Sequence, residues 1–323
     1  MVGNGDLRPH AVVTGGAGFL GSHLCDALLA SGHRVTCVDN FETGHSANLR
    51  HLIDEKAFTL LRRDLNDDLD GELPGPVDVV FHLAAPAAPS DYLLDPVATM
   101  RSTSTGTLNA LDLARARSAR FVLASTSEVY GPAGDAPSRE DRVGQVDPVD
   151  GYGAYYESRR FAEALTTAYR TTYTMRTAIG RIFNTYGPRM RLDDGGVVSR
   201  FIRQALAGTP LTVPGPGTQI RSLCYVDDAV AGLLALAEGG YPGPVNIGSP
   251  EAVPVYTIAQ EVAEIAGPAA EIVFVEPPAV DSRARRPDIT LAGQLLDWQP
   301  RTSVHDGLAA TLAWFRRSRV RRA

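Results

Sequence analysis

Two groups of polar side chains in this chain have the types and spacing that proton and hydride transfer require. The first is Ser125-Thr126-Ser127-Glu128-Val129-Tyr130-Gly131, which directly follows the apolar run Phe121-Val122-Leu123-Ala124. Polar residues placed just after a buried strand stand at its C-terminal edge, where open α/β sheets bind their ligands. The second group is Tyr155 with Arg159 four positions further on. Residues i and i+4 share one face of a helix. A cation beside a phenol lowers the phenol's pKa and fits it for proton transfer. Taken alone, a Tyr-x-x-x-Arg pair reads as a surface cation–aromatic contact. The Ser/Thr-rich strand end ahead of it is what turns the reading towards chemistry.

A site for the partner of such a transfer lies near the start of the chain. Val12-Val13-Thr14 runs into Gly15, Gly18 and Gly21, spaced GxxGxxG, and then into a helical pattern. A strand, a turn without side chains and a helix N-terminus together can hold a pyrophosphate on backbone N–H groups. Asp39 ends the run Arg34-Val35-Thr36-Cys37-Val38, eighteen residues beyond Gly21. A carboxylate there accepts the hydroxyls of an adenosine ribose and repels a 2′-phosphate, which favours NAD over NADP. The glycines alone read equally as an ordinary βα turn. The complete strand–glycine–helix–strand–Asp unit is the specific signal.

The elements that must carry these groups alternate in the first half of the chain. Strands are expected at Ala11–Thr14, Arg34–Val38, Phe58–Leu61, Val77–Leu83, Phe121–Ser125 and Thr177–Phe183. Helices are expected from Gly18 to about Ser31-Gly32, from Asp95-Pro96 to about Arg117, and from Tyr155 to Tyr173. Such alternation predicts an α/β fold with a Rossmann-type, doubly wound parallel sheet covered on both faces. After Ile182, prolines and glycines cluster and the alternation loosens. The expected division is therefore an NAD-binding Rossmann domain over 1–181, with segments near 222–248 returning to it. A smaller C-terminal substrate-binding domain fills most of 182–323.

Composition narrows the function classes. The 323 residues are 44% hydrophobic and 21% charged, ordinary globular values, and the net charge of −6 argues against a general nucleic-acid binder. No apolar run of membrane length is present and Met1–Arg8 is polar, so neither a membrane partner nor a secretory leader is expected. Cys25, Cys37 and Cys224 are odd in number and lack metal-ligand spacing, which predicts reduced, buried thiols, no metal and a cytoplasmic location. Of the 31 basic residues only Lys56 is lysine, so any task usual for lysine falls to arginine. The arginines of the tail, Arg316, Arg317, Arg319, Arg321 and Arg322, read as a solvated helix end.

These motifs resemble the extended short-chain dehydrogenase/reductase family, and within it the UDP-glucuronate decarboxylase (UDP-xylose synthase) branch. The matching stretches are Val38–Gly44, His82–Pro89, Leu123–Gly131, Arg181–Met190, Arg221–Asp228 and Arg286–Ile289, spread over about residues 10 to 315. Thr126-Ser127-Glu128, the Pro86–Pro89 segment and Arg285-Arg286-Pro287-Asp288 point to the decarboxylase branch; the glycine and tyrosine motifs identify only the superfamily. The resemblance implies NAD held by Gly15, Gly18, Phe19, Leu20, Gly21, Asp39, Asn40, Thr43, Gly44, Asp64, Leu65, Leu83, Ala84 and Ala85, with Tyr155 and Arg159 at the nicotinamide end. It implies oxidation at sugar C4, with Tyr155 taking the hydroxyl proton and Thr126 in the same network, and then loss of the C6 carboxylate as CO₂. The hydride finally returns to C4. Ser127 and Glu128 would stand near C5 and the carboxylate, and Arg285 beside that carboxylate. Pro86 and Tyr92 would reach the sugar, and Asn184, Arg191, Val197, Arg221 and Tyr225 the UDP portion. A homodimer through a four-helix interface, built from Asp95–Arg117 and Tyr155–Tyr173, is implied as well.

Plainer readings stay open for some of these residues: a surface ion pair for Arg221, a turn cap for Asn184, and pairing with Asp281 or Asp288 for Arg285. A nucleotide-sugar 4-epimerase or 4,6-dehydratase would share the loop, Tyr155 and Thr126, and an inert NAD-binding regulator would share the loop. The chain departs from the family pattern at three positions. Arg159 replaces the usual lysine, Ala88 a serine and Gly196 an arginine. Arginine keeps the charge but is longer, planar and more diffuse, so the first exchange is not conservative.

Overall fold

The computed structural model describes residues 7–67, 70–73, 75–132, 136–277 and 285–320. Asp281, Arg321 and Arg322 lie outside the described residues. The elements in chain order begin with β1 (His10–Thr14), α1 (Phe19–Ala30), β2 (Arg34–Asp39), β3 (Phe58–Arg62), β4 (Val79–His82), the single turn α2 (Pro89–Tyr92) and α3 (Pro96–Ala116). Then come β5 (Arg120–Thr126), α4 (Gly153–Tyr173), β6 (Thr177–Ile182), β7 (Thr185–Tyr186), α5 (Val197–Ala207), β8 (Leu211–Pro214), β9 (Ile220–Arg221) and β10 (Cys224–Tyr225). The described chain ends with α6 (Val226–Glu238), β11 (Pro244–Ile247), β12 (Val253–Pro254), α7 (Val255–Ala266), β13 (Ile272–Val275), α8 (Thr290–Leu296) and α9 (Val304–Val320).

Seven of these strands form one parallel sheet in the order β11-β6-β5-β4-β1-β2-β3. The order reverses beside β1, and there the C-terminal edge opens the crevice that binds ligands in such sheets. The central strands are apolar on both faces: Ala11, Val12 and Val13 of β1 and Phe121, Val122 and Leu123 of β5 are all fully buried. That is the pattern of a sheet covered by helices on each side. α1 and α6 pack on one face; α3 and α4 pack together on the other. β11, which comes late in the chain, pairs in register with β6, Val245 opposite Gly180. A third apolar cluster, with Phe201, Ile202, Leu211, Ile258 and Leu308, packs α5, α7 and α9 around the short parallel pair β8–β13.

Helix ends follow local chemistry. α3 starts where the Asp95 carboxylate accepts the Ala98 N–H at 2.8 Å, with Pro96 in the first turn. α4 begins two residues before the expected start and ends at Thr174 in a left-handed conformation. Among the described residues, no helix is long and apolar enough to cross a membrane. All three cysteines are buried and unpaired.

Candidate active site

The glycine loop connects β1 to α1 under tight steric control. Gly15 has φ +72°, and a Cβ there would stand 2.8 Å from backbone atoms of Ala84, so only glycine lets β1 and the loop after β4 approach this closely. A Cβ on Gly21 would overlap the Gly15 carbonyl oxygen. Gly18 caps α1 without a side-chain hydrogen bond, so no side chain competes for the helix's leading amides at Phe19 and Leu20. Asp39 is buried against this loop. Its Oδ2 accepts the Ala17 N–H at 2.9 Å and its Oδ1 the Phe41 N–H at 2.8 Å, and burial raises its pKa. Two of the carboxylate's lone-pair directions thus hold the loop, and the remaining two suit a diol. Asn40 donates to Asp64 Oδ2 at 2.9 Å, Asn109 donates to the Leu65 carbonyl at 2.7 Å, and Gly44 closes over Asp39. Thr43 is half-buried in the same loop, and Leu83, Ala84 and Ala85 follow β4 at the same sheet edge.

The proton-transfer group assembles from two neighbouring elements, the end of β5 and α4. Tyr155 is 4% exposed and Arg159 5%. Arg159 donates from Nη2 to the Ala124 carbonyl at 2.7 Å, and its guanidinium carbon stands 5.9 Å from the centre of the Tyr155 ring. Its Nε and Nη1 are buried and have no partner within the protein. Buried donors of this kind fit the hydroxyls of a ribose, so the site and a dinucleotide are chemically matched at both ends.

The expectation that Tyr155 is acidified does not hold. Burial pushes its pKa up, and the Arg159 charge and the Thr126 hydroxyl, both favouring phenolate, only partly offset this. Reasoning from the cation alone omitted desolvation. Thr126 also caps the turn that follows, accepting the Glu128 N–H at 3.3 Å, and Ser127 is buried within that turn.

Glu128 is not alone. Arg285, far along the chain, places Nη1 2.5 Å from Glu128 Oε2 and donates from Nε to the Gly131 carbonyl at 2.8 Å. Its guanidinium also lies 5.8 Å from the centre of the Tyr156 ring. Arg285 is therefore paired with Glu128 and not with Asp288. Tyr92, expected to reach the sugar, is buried and stacks on Tyr155, with centroids 4.4 Å apart and planes 1° from parallel. Its ring supports the catalytic candidate from behind.

The remaining candidates spread along the rim. Arg191, expected at the UDP portion, is held by Asp91 at 2.6 Å and Asp193 at 3.0 Å, which ties the loop after β7 to α2. Arg221 donates to the Ile220 carbonyl at 2.9 Å. Asn184 is exposed, and its carbonyl accepts the Cys224 N–H at 2.9 Å. Tyr225 caps α6 and meets Tyr186 edge-on at 5.8 Å, Val197 opens α5, and Pro86 lies half-buried between β4 and α2.

Sequence reasoning missed Glu163 and Arg181, a mostly buried ion pair at 2.8 Å whose carboxylate also accepts from Ser125. The signal was present. Glu163 lies one turn beyond Arg159, and Arg181 is a charge inside an otherwise apolar strand.

Comparisons with known proteins agree with this geometry. Residues 11–248 match the NAD dependent epimerase/dehydratase family. UDP-glucuronic acid decarboxylase 1 of Arabidopsis thaliana is 44% identical over 315 residues, covering 98% of this chain and 72% of that protein. The protein of the same name from Xenopus tropicalis is 43% identical over 310 residues, covering 96% and 73%. Among solved structures, UDP-glucuronic acid 4-epimerase from Bacillus cereus, in complex with UDP-glucuronic acid and NAD, superposes with a TM-score of 0.85 at 30% identity, covering 96% of this chain and 99% of that one. The chain belongs to the NAD dependent epimerase/dehydratase family.

Proposed function

We propose that this chain converts UDP-glucuronate to UDP-xylose and carbon dioxide by oxidising, decarboxylating and re-reducing the sugar in one site. The observation that carries the reading is the Glu128–Arg285 pair standing beside Tyr155, which sets a carboxylate–guanidinium couple next to a phenol placed to take the proton of an alcohol. The decarboxylases named above, at 43–44% identity, support it over the 4-epimerase at 30%.

The chemistry that bound NAD⁺ supplies is a reversible hydride acceptor beside sugar C4. Tyr155 takes the proton of the C4 hydroxyl while the permanent charge of Arg159 favours its phenolate. Once C4 is a ketone, the C5–C6 bond breaks, its electron pair moves to the C4 oxygen, and CO₂ leaves. Hydrogen bonds from Tyr155 and Thr126 stabilise the resulting enolate. Ser127, Glu128 and Arg285 stand on the C5 side, where C5 takes up a proton that water supplies and Glu128 helps deliver, restoring the C4 ketone. Tyr155 then returns its proton to the C4 oxygen as the hydride returns to carbon. Asp39 and the loop from Gly15 to Gly21 hold the adenosine and pyrophosphate, and Arg159 the nicotinamide ribose. By task, residues 1–181 with the segment near 222–248 hold NAD, and most of 182–323 holds the UDP-sugar through Asn184, Val197, Arg221 and Tyr225.

The test is release of labelled CO₂ from carboxyl-labelled UDP-glucuronate with UDP-xylose as product. A C4-epimerised uronate without CO₂ would establish the epimerase instead. Tyr155→Phe removes the activity; a fully active variant would overturn the catalytic assignment. With arginine at 159, alanine at 88 and glycine at 196, some UDP-4-keto-xylose leaves before the hydride is returned. Formation of UDP-xylose alone, with no NADH accumulating, would disprove that leak.

Two further parts of the reading concern assembly and place. The outer faces of α3 and α4 expose Val97, Met100 and Leu108 on one helix and Phe161 and Tyr173 on the other. A second copy covers them in a four-helix homodimer. Light scattering then gives twice the chain mass, falling to one on Met100→Glu with Leu108→Glu; a monomeric parent refutes this. Buried, unpaired cysteines suit a reducing cytoplasm.

A further inference from the structure

The buried polar groups that the reaction does not use are concentrated behind the site. Glu163, on α4 and 14% exposed at its side chain, is their centre. Its Oε1 accepts from Ser125 Oγ at 2.6 Å and from Arg181 Nε at 3.0 Å, and its Oε2 from Arg181 Nη2 at 2.8 Å. Ser125 immediately precedes Thr126 and stands opposite Arg181 in the β5–β6 register. Arg181 also donates to the Glu140 carbonyl at 3.2 Å and lies over the Tyr130 ring, 4.7 Å from its centre. Tyr130 closes the turn that carries Ser127 and Glu128, and its hydroxyl donates to Asn246 Oδ1 at 2.7 Å. Asn246 in turn donates to the Ser138 and Asp288 carbonyls at 2.8 and 3.0 Å, and the Ser138 N–H donates to the Arg286 carbonyl at 2.7 Å. One continuous set of contacts thus joins α4, the end of β5, the Glu128 turn and the segment beginning at Arg285.

Stability does not explain such a network. A buried ion pair gains little over well-packed apolar side chains of the same volume, because both charges are desolvated. It does fix geometry. Apolar packing between a helix and a sheet lets the helix roll or slide by fractions of an ångström. A bidentate guanidinium–carboxylate pair with a short serine bond does not. The two elements it fixes are the ones that carry Tyr155 and Thr126. It also occupies the Ser125 hydroxyl, which is thereby directed away from the reacting oxygen and leaves Thr126 as the hydroxyl facing Tyr155.

We propose that Glu163 and Arg181 are positioning residues for the reaction: with Ser125 they set Tyr155 on α4 against Thr126 on β5, and through Tyr130 and Asn246 they set Glu128 against Arg285. The reaction assayed rests on the decarboxylase reading.

The experiment measures the first hydride transfer in a single turnover, as NADH formed on mixing holoenzyme with UDP-glucuronate, alongside CO₂ release. NADH formation without CO₂ in the parent would remove the decarboxylase reading and leave the positioning test intact. Glu163→Gln lowers the single-turnover rate about tenfold or more, with KM within about threefold, and moves the apparent pKa of its pH profile, because a small displacement of reacting groups is costly. Ser125→Ala, which leaves the ion pair in place, does the same to a smaller extent, and Ser125→Thr, which keeps a hydroxyl, restores the rate. If Glu163→Gln does not fold, Ser125→Ala against Ser125→Thr decides alone. Variants that fold and keep the parent's rate and pH profile overturn the proposal, as does a lower melting temperature with unchanged kinetics.

Discussion

Arg159→Lys is the substitution that most directly tests the site. The guanidinium does two things at once: Nη2 is anchored on the Ala124 carbonyl at 2.7 Å, and the charge acts on Tyr155. Lysine has one nitrogen on a shorter reach and cannot hold the strand carbonyl while also facing the phenol and a ribose. Losing the anchor at a site 5% exposed costs about 1.5–3 kcal/mol, the worth of a buried hydrogen bond from a charged donor. For a domain of this size, that is a fall of several degrees in melting temperature. The kinetic signature is different. A guanidinium is not deprotonated in proteins, whereas an ammonium can be. A buried ammonium is pushed down by desolvation, so the lysine variant loses its cation, and with it activity, as pH rises. The assay is a pH–kcat profile of both proteins from mildly acidic to strongly alkaline buffer, with melting curves on the same samples. An added alkaline limb and a lower melting temperature are expected. Identical profiles and identical melting would refute the anchoring argument and mark the arginine as a neutral exchange in a chain nearly devoid of lysine.

Three more outcomes follow from the geometry. Gly21→Ala forces a methyl into the Gly15 carbonyl and opens the loop, so NAD affinity measured by calorimetry falls at least about tenfold; unchanged affinity would mean that the loop is not the cofactor site. His82 is fully buried between the Thr14 and Thr107 hydroxyls, and desolvation with the nearby Arg159 charge lowers its pKa to about 3. Since the unfolded chain binds this proton near pH 6.5 and the folded one near 3, stability from His82 is complete above 6.5 and is lost as pH falls towards 3, by up to roughly 1.4 kcal/mol per unit. His82→Gln therefore melts lower at neutral pH but loses less between pH 6.5 and 4; an equal loss would contradict this. Tyr92→Leu removes a stacked ring worth about 0.5–1.5 kcal/mol and lowers kcat roughly two- to tenfold, while Tyr92→Phe preserves it. A rise in KM in the Phe variant, which loses only the hydroxyl, would instead return Tyr92 to a direct role at the sugar.

Much of the fold was legible because its signals are local. Each expected strand of the large sheet is present within two residues of its limits at each end, and the Asp95-Pro96 start of α3 is read directly from capping chemistry. The glycine loop was legible for the same reason, since strand, turn, helix and Asp39 lie within one βαβ unit. What sequence could not give was pairing across distance. Arg285 meets Glu128 and the Gly131 carbonyl, the latter at a sequence separation of 154, and sequence offered nearer carboxylates as alternative partners. Arg191, which the resemblance gives to the UDP portion, also pairs with Asp91, brought close by α2. The sign of the Tyr155 shift failed for a related reason. The favourable cation is visible at i+4, whereas the desolvation that outweighs it comes from the packing of β5, α2 and α4 together.

The two ends of the cofactor site are built on different principles. At the adenosine end the protein satisfies itself. Asp39 accepts two backbone N–H groups, and the Ala17 carbonyl accepts from the Asn48 side chain at 2.9 Å and the His45 N–H at 3.0 Å. These hydrogen bonds order the loop without help from a ligand, which reduces the ordering entropy that opposes binding. At the nicotinamide end, Arg159 keeps two buried N–H donors that no protein group satisfies. A dry donor without an acceptor costs about 1–3 kcal/mol, and a ribose hydroxyl relieves that cost. Relief of these unmet donors therefore adds to binding at the end where the hydride is exchanged. A redox-neutral sequence needs this arrangement, because the dinucleotide must be held most firmly between the two transfers, while the sugar is a ketone. It follows that a change at Arg159 alters retention and product partition, whereas a change at Asp39 alters entry and selectivity between NAD and NADP.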